Sequence, residues 1–406
     1  MVWDNDAVLG SKSSRTRTYE YSIPSEEELQ KLSDDANKNI FAKIDESMKL
    51  AEKLKKDIKQ LKEKNINENS TTWEKTQMVE EIMKNQSKLE ELMQEIADEN
   101  ELKNDVLNSF SEEEQEILDK QQQIEDLLEN LMTDELKELM DELNKLQEKF
   151  NEDKFNQLSD DLEMSFDDLM EQLDRNLEML KEFEVEQKVE KNIEDLNELA
   201  KEQEELSEET KDKKSENSEL QKKQNEQSEK FEKLTEEIKK TQELNDELKN
   251  PMKMENLDQE IQDINEEFQK GSENLQKGKS KKASGNQKKN SEQLSEMSQS
   301  MQQMLNSNKQ QQAMEDMDNL RQILDNLINF SFDQEELLKI TKKISDKDPL
   351  YIDLIGSQNK IADDFTIIKD SLYALAKRTP QLSSTINREL LSIEKNLSKT
   401  NLLIER

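Results

Sequence analysis

Apolar residues recur along this chain at alternating steps of three and four, the spacing that lines one edge of a helix. Val79, Ile82, Leu89, Met93 and Ile96 share such an edge, with Gln86 at the remaining position. Ile117, Ile124, Leu128 and Leu131 form a second around Gln121, and Leu139, Leu143, Leu146 and Phe150 continue beyond a break at Thr133. Leu257, Ile261, Ile264 and Phe268 repeat the pattern, and Leu354, Ile361, Phe365, Ile368, Leu372 and Leu375 make a denser stripe with Tyr351 and Tyr373 nearby. Two positions in seven is the width of a coiled-coil seam, narrower than the face of an ordinary core helix. The expected fold class is therefore all-α, built of long antiparallel coiled-coil helical hairpins.

Helix starts punctuate the stripes. Ser25 with Glu28, Thr71 with Glu74, Ser111 with Glu114 and Ser331 with Gln334 have capping-box spacing, in which hydroxyl and acid satisfy free amides at a helix N-terminus. Asn250 before Pro251, Asp348 before Pro349 and Thr379 before Pro380 supply further starts, because proline suits the first helical turn, and Ser165 before Phe166 is another. Residues 201–249 carry little apolar content, so a weak, exposed helix held by four-spaced Glu and Lys pairs is expected there.

The first 24 residues differ. Val2 and Trp3 suggest a short strand entering a turn, and Arg15 to Ile23 alternate in polarity and stop at Pro24 as a strand does. Two strands cannot bury a face in water, so residues 1–24 are expected to end a truncated β-sandwich-like domain. The segments that follow are an acidic coiled-coil region over 25–276, a basic Ser/Gly/Lys linker over 277–290, a Met/Gln-rich helix over 291–330 and a C-terminal helical hairpin region over 331–406. The last helix is still periodic at Arg406, so the chain is expected to be an internal fragment.

Composition agrees with rods. Hydrophobic residues make up 31% of the chain and charged ones 38%, too little apolar surface for a large globular core, and only 5 Gly and 4 Pro interrupt the helices. A formal charge of -37 repels phosphate backbones and argues against nucleic-acid partners. With no Cys and no His, thiol nucleophiles, disulfides, imidazole or thiolate metal sites and His-based triads are excluded. No stretch is apolar for long enough to cross a membrane, so any membrane attachment is expected through segments outside this chain.

Candidate chemistry is thin. Gly278-Lys279-Ser280 matches the end of a phosphate-binding loop, but Glu273 stands where that loop needs glycine, so a lysine-rich linker is the better reading. Asp4-Asn5-Asp6 with Gly10 resembles a calcium loop, yet Leu9 and Arg15 occupy its glycine and glutamate positions, and a turn between strands is expected. Acidic runs such as Asp160-Asp161, Asp167-Asp168 and Glu112 to Glu114 read as solvated faces or first-turn acids. Met297, Met301, Met304, Met314 and Met317 offer adaptable thioethers, but the first three are spaced as a seam. No catalytic, cofactor-binding or metal-binding residue is assigned, and no cofactor is expected.

Four stretches together resemble a known family. They are VWDNDAVLGSKSSRTRTYEY (2–21), LQKGKSKKASGNQKK (275–289), LRQILDNLINFSFDQEELLK (320–339) and SLYALAKRTPQL (371–382). The family is one of large bacteroidete membrane-anchored coiled-coil envelope proteins, filed as a domain of unknown function and sometimes labelled ATPase. The resemblance spans essentially the whole chain. It implies transmembrane helices and an immunoglobulin-like β region upstream, then this helical region, then a further tail, and it carries no catalytic residues. The function expected is a non-enzymatic structural or protein-interaction scaffold on the periplasmic face of the bacterial cell envelope, working through protein partners or self-association. The alternatives are a chaperone-like holding clamp, a segment of a nucleotide-dependent motor, and a cytoplasmic location.

Overall fold

The computed structural model describes residues 2–3, 13–14, 24–66, 71–110, 115–129, 131–148, 152–212, 216–344, 348–376 and 383–404. It is all-α. The helices are α1 (Glu26–Ile66), α2 (Thr72–Phe110), α3 (Gln115–Glu129), α4 (Asp134–Glu148), α5 (Glu152–Asp212), α6 (Asn217–Asp246), α7 (Asp258–Gln276), α8 (Ser280–Thr341), α9 (Leu350–Ala376) and α10 (Ser383–Ile404). Ahead of them, β1 (Val2–Trp3) pairs antiparallel with β2 (Ser13–Ser14), Val2 opposite Ser14. The strand expected at Arg15 to Ile23 lies outside the described residues.

Helix α5 is the common strut. Its 61 residues span about 92 Å at 1.5 Å per residue. Lys55 and Lys62 of α1 reach Asp167 and Asp160, while Asp34 reaches Lys188, so α1 runs antiparallel along the first two thirds of α5. Helix α2 packs antiparallel on α1, with Lys43 bonded to Glu99 at one end and Lys53 to Glu81 at the other. Along the remainder of α5 lie α6 and α8: Glu202 meets Lys230, Ser207 meets Ser284, and Ser291 donates to the Ala200 carbonyl. Helix α7 covers α6 and α8, stacking Phe268 on Phe231 at 5.6 Å between ring centroids.

Three large apolar cores result. The first joins α1 to α4 with α5 as far as Phe183. A second takes α5 from Val185 onward with α6, α7 and the start of α8. The third joins the end of α8 to α9 and α10, where Phe330 packs on Phe365. The stripes at 79–96, 257–268 and 354–375 are buried as expected, each fully buried Leu, Ile or Phe being worth about 1.5–3 kcal/mol. Ile124, Leu128, Leu131 and Leu143 are buried too, Ile117, Leu139 and Leu146 partly so, and Phe150 lies outside the described residues.

Local signals held where they closed a helix end. Ser25 and Glu28 form the reciprocal box, the Ser25 amide donating to Glu28 at 2.9 Å and the Glu28 amide to the Ser25 hydroxyl at 3.3 Å. Thr71 and Glu74 do the same. The Thr133 hydroxyl caps α4 at the Leu136 amide, and Asp348 accepts from the Leu350 amide at the start of α9. Ser111 to Glu114 and Thr379-Pro380 fall outside the described residues.

Four expectations are corrected. Ser331 and Gln334 lie inside α8, where Gln334 instead bonds Gln358 across to α9, so the 330/331 boundary divides one continuous helix. Ser165 sits buried in the interior of α5. Pro251 begins no helix: residues 247–257 are non-helical, because Asn245 and Asn308 bind the chain there from the side, the first at Met252 and the second at Lys253. The described residues of 201–249 are packed along one side, through Gln203, Gln224, Gln227, Phe231, Ile238 and Thr241, while the opposite side is exposed.

The basic stretch over 277–290 is not a linker either. Helix α8 starts at Ser280, and Ala283, Ser284, Gln287 and Asn290 face its neighbours while the lysines stay outside. The connection is a tight glycine turn: the Lys279 amide bonds the Asn274 carbonyl at 2.8 Å and the Gly278 amide bonds that of Leu275 at 2.9 Å. That pair closes α7 in a Schellman motif, which needs a left-handed residue, and Gly278 has φ 65°. Replacing Gly278 by Ala is expected to cost about 1 kcal/mol in urea unfolding, from strain alone since a Cβ there would meet only Asn217 Nδ2, at an ordinary 3.9 Å. Lys279→Ala should stay within about 0.5 kcal/mol. The reverse order would show that the turn is not set by glycine.

Candidate functional site: a charged waist and an open helix face

The first two cores meet on α5 between Phe183 and Val185, and charge collects at that level. On one side Lys103 of α2, only 3% exposed, donates to Asn37 at 3.0 Å. Burial pulls its amine down to about 8, with Glu184 opposing. Burial likewise raises the Glu184 carboxyl, against the pull of Lys188, which itself pairs with Asp34 at 2.5 Å. On the other side Glu186 accepts from Lys120 and from Lys309 at 2.7 Å, and Lys309 also reaches Glu190 at 3.2 Å. Burial alone would raise Glu186, but the two lysines more than offset it and hold the carboxyl below its usual range.

Above Glu186 opens a cleft of about 720 Å³. Ile124, Met179, Phe183, Leu248 and Leu305 line it, and Lys120, Lys249, Lys253 and Lys309 stand with Glu182 and Glu315 around it. Its wall at 247–253 is pinned twice. Asn245 donates to the Met252 carbonyl at 2.9 Å and accepts the Met252 amide at 2.8 Å; Asn308 does the same for Lys253 at 3.0 and 3.1 Å. Lys120 and Lys309 are committed to Glu186, and Lys249 to Asp174. Such a surface can hold an amphipathic segment; it sets no nucleophile against a base.

A second buried polar site joins α9 to α5. The Tyr373 hydroxyl donates to Asp168 at 2.9 Å, and Gln172 donates to its other oxygen at 2.6 Å. Burial raises both the carboxyl and the phenol, and Arg175 lies close enough to favour the ionised carboxylate. The core around α6 and α8 is polar as well: Gln203 bonds Gln227 at 2.7 Å, Gln287 bonds Gln224 at 2.9 Å and Asn192 bonds Thr241 at 3.2 Å. Beside it Glu267 accepts from Lys289, Lys270 and Asn286 at 2.8, 3.0 and 2.8 Å. Burial would raise that carboxyl, but these three donors bring it down to about 2.

The methionines divide along α8. Met297 and Met301 are buried and Met304 partly so, as their seam spacing implied, whereas Met314 and Met317 are exposed, as are Leu324, Ile328, Phe332 and Leu338. Of the acidic runs, Asp160 and Asp167 pair with α1 lysines, Asp161 with Lys395, and Asp168 serves Tyr373. Glu112 to Glu114 and the stretch from Asp4 to Gly10 lie outside the described residues. Among the described residues no cluster of acids could hold a metal ion. Gly278 to Ser280 follows helix α7, not the strand a phosphate loop requires. No sequence motif marks Lys103, yet the stripe through Val79, Gln86, Met93 and Ile96 lands, extended by steps of four and three, on buried Asn100 and Lys103. No helix among the described residues is long and apolar enough to cross a membrane.

Searches against family models, curated proteins and solved structures give no match to this chain.

Lys103 and Glu267 make opposite predictions. The folded state depresses the Lys103 pKa, so the charged amine costs stability at pH 7, and that cost fades between about pH 8 and the unfolded value near 10.4. Lys103→Met is expected to raise stability by about 1 kcal/mol at pH 7, with the gain shrinking toward pH 10; a gain that grew would contradict the assignment. Glu267 is depressed the other way round, contributing above its unfolded pKa and losing that contribution as pH falls toward 2. Glu267→Gln should cost roughly 2 kcal/mol at pH 7 and almost nothing at pH 2, read from denaturation midpoints across that range.

Proposed function

We propose that this chain is a non-enzymatic scaffold, a set of antiparallel coiled-coil hairpins that spaces or holds protein partners, and that it belongs to a larger membrane-anchored protein of the bacterial cell envelope, facing the periplasm. The observation that carries the reading is the pair of unbroken helices, α5 with 61 residues and α8 with 62, each serving two cores. Helices about 90 Å long transmit position, and apolar residues laid along them build seams. The charged groups at the waist are largely engaged with one another, which suits a joint between rigid segments. The short pairing of Val2–Trp3 with Ser13–Ser14 is consistent with the end of a β domain preceding the rods. The strong negative charge keeps such rods apart from anionic surfaces.

One observation favours a second reading. The exposed Met314, Met317, Leu324, Ile328 and Phe332 on α8 would also suit a holding clamp for unfolded clients. A reduced, alkylated and permanently unfolded model protein separates the two by fluorescence anisotropy. The scaffold leaves its anisotropy unchanged up to about 10 μM. Saturable binding in that range, lost on Phe332→Ser, would establish the clamp instead.

A further inference from the structure

Helix α8 carries two heptad tracks in its second half and uses one. Leu320, Ile323, Leu327, Phe330, Gln334 and Leu337 face α9. One residue out of phase, about 100° round the helix, runs a second set at alternating steps of four and three: Met314, Met317, Arg321, Leu324, Ile328, Ser331, Glu335 and Leu338. Every one of these eight is exposed. In its first half the same helix is flanked by α5 and α7, and there Ala283, Ser284, Asn290, Ser291, Met297 and Ser298 are all buried. From Leu320 onward the packed side is the α9 side, and among the described residues nothing covers the second track.

Turned end for end, the open track matches itself in every layer except where Met317 meets Glu335. Laid antiparallel on a second copy with its centre between Leu324 and Ile328, it sets Leu324 against Ile328 twice and Met314 against Leu338 at each end. Arg321 then falls against the small Ser331, one layer from the partner's Glu335, within reach of a guanidinium. A polar pair inside an apolar seam fixes register and orientation at some cost in affinity. Among the described residues, Arg321 pairs with Asp318 at 3.3 Å and reaches the Met317 sulfur at 3.7 Å, and Glu335 pairs with Lys339 at 2.8 Å, all exposed and within the same helix. Such pairs hold little energy and exchange readily.

We propose that this face of α8, from Met314 to Leu338, is a homodimer seam that takes a second copy of this chain in antiparallel register. The proposal rests on the scaffold reading and gives it a partner. Residues 314–340 hold seven acids against two bases, so like charge opposes the dimer and apolar contact favours it. Association therefore strengthens with salt, the reverse of what a basic helical partner would show.

Sedimentation equilibrium of the full chain between about 0.05 and 0.5 M NaCl tests this, the range over which screening shortens most. The expected mass approaches twice 47.8 kDa, with tighter association at high salt. Leu324→Asn with Ile328→Asn should weaken the dimer by about 100-fold or more while circular dichroism stays unchanged, since both residues are exposed in the monomer. Arg321→Glu and Glu335→Arg should each weaken it by about tenfold, and the two together should restore it. A chain that stays monomeric at every salt concentration overturns the proposal, as does a dimer indifferent to the Asn pair or not restored by the double charge exchange. None of these results bears on the unfolded-client assay, which tests the scaffold reading separately.

Discussion

The burial of α5 is the constraint on which the fold depends. Between residues 154 and 193 only Lys154, Gln157, Asp160 and Glu171 are exposed, so the helix is wrapped on nearly every side. A chain with 31% hydrophobic residues cannot enclose a broad core, but it can surround one apolar rod with narrow-seamed neighbours. Helices α1, α3 and α4 take one stretch of the rod, α6 and α8 the other. Because the same backbone runs through both cores, neither can shift along its axis without disturbing the other.

Polar residues inside these cores set register where shape alone would not. Gln203 with Gln227, Gln224 with Gln287 and Asn192 with Thr241 fall at depths where Leu or Ile would be more stabilising, and slipping the helices by one turn would leave each amide buried without its partner. Gly271 belongs to the same layer, since a Cβ there would meet the Gln224 side chain at 3.3 Å. The waist at Glu184 and Glu186 does for the two cores what these amides do for the helices. Its ion pairs come from α1, α3 and α8, so all three must be seated before the charges on α5 are compensated.

Much of this was legible in the sequence because a heptad stripe is local information. The apolar stripes from Val79 to Ile96 and from Leu354 to Leu375 have seam spacing and are buried, and the boxes at Ser25 and Thr71 close as their spacing implies. The misreadings share one cause. Lys-rich 277–290 and polar 201–249 look like surface when counted by residue type, yet a helix buries by position, and Gln287, Asn290, Gln203 and Thr241 sit on the inward side while Lys281 and Lys288 do not. Ser331 with Gln334 has the chemistry of a cap, but α9 pairs with Gln334 from across the groove and carries α8 straight through it. The Asp168 to Tyr373 bond joins residues far apart in the chain, and nothing local announces it.

Amide hydrogen exchange across the whole chain tests the central role of α5 most directly. The account predicts the slowest exchange along α5 from about residue 160 to 205, through the waist without a break, and much faster exchange in the open half of α8 from about 310 to 340. Fast exchange at the centre of α5, or protection there no greater than in that half of α8, would contradict it.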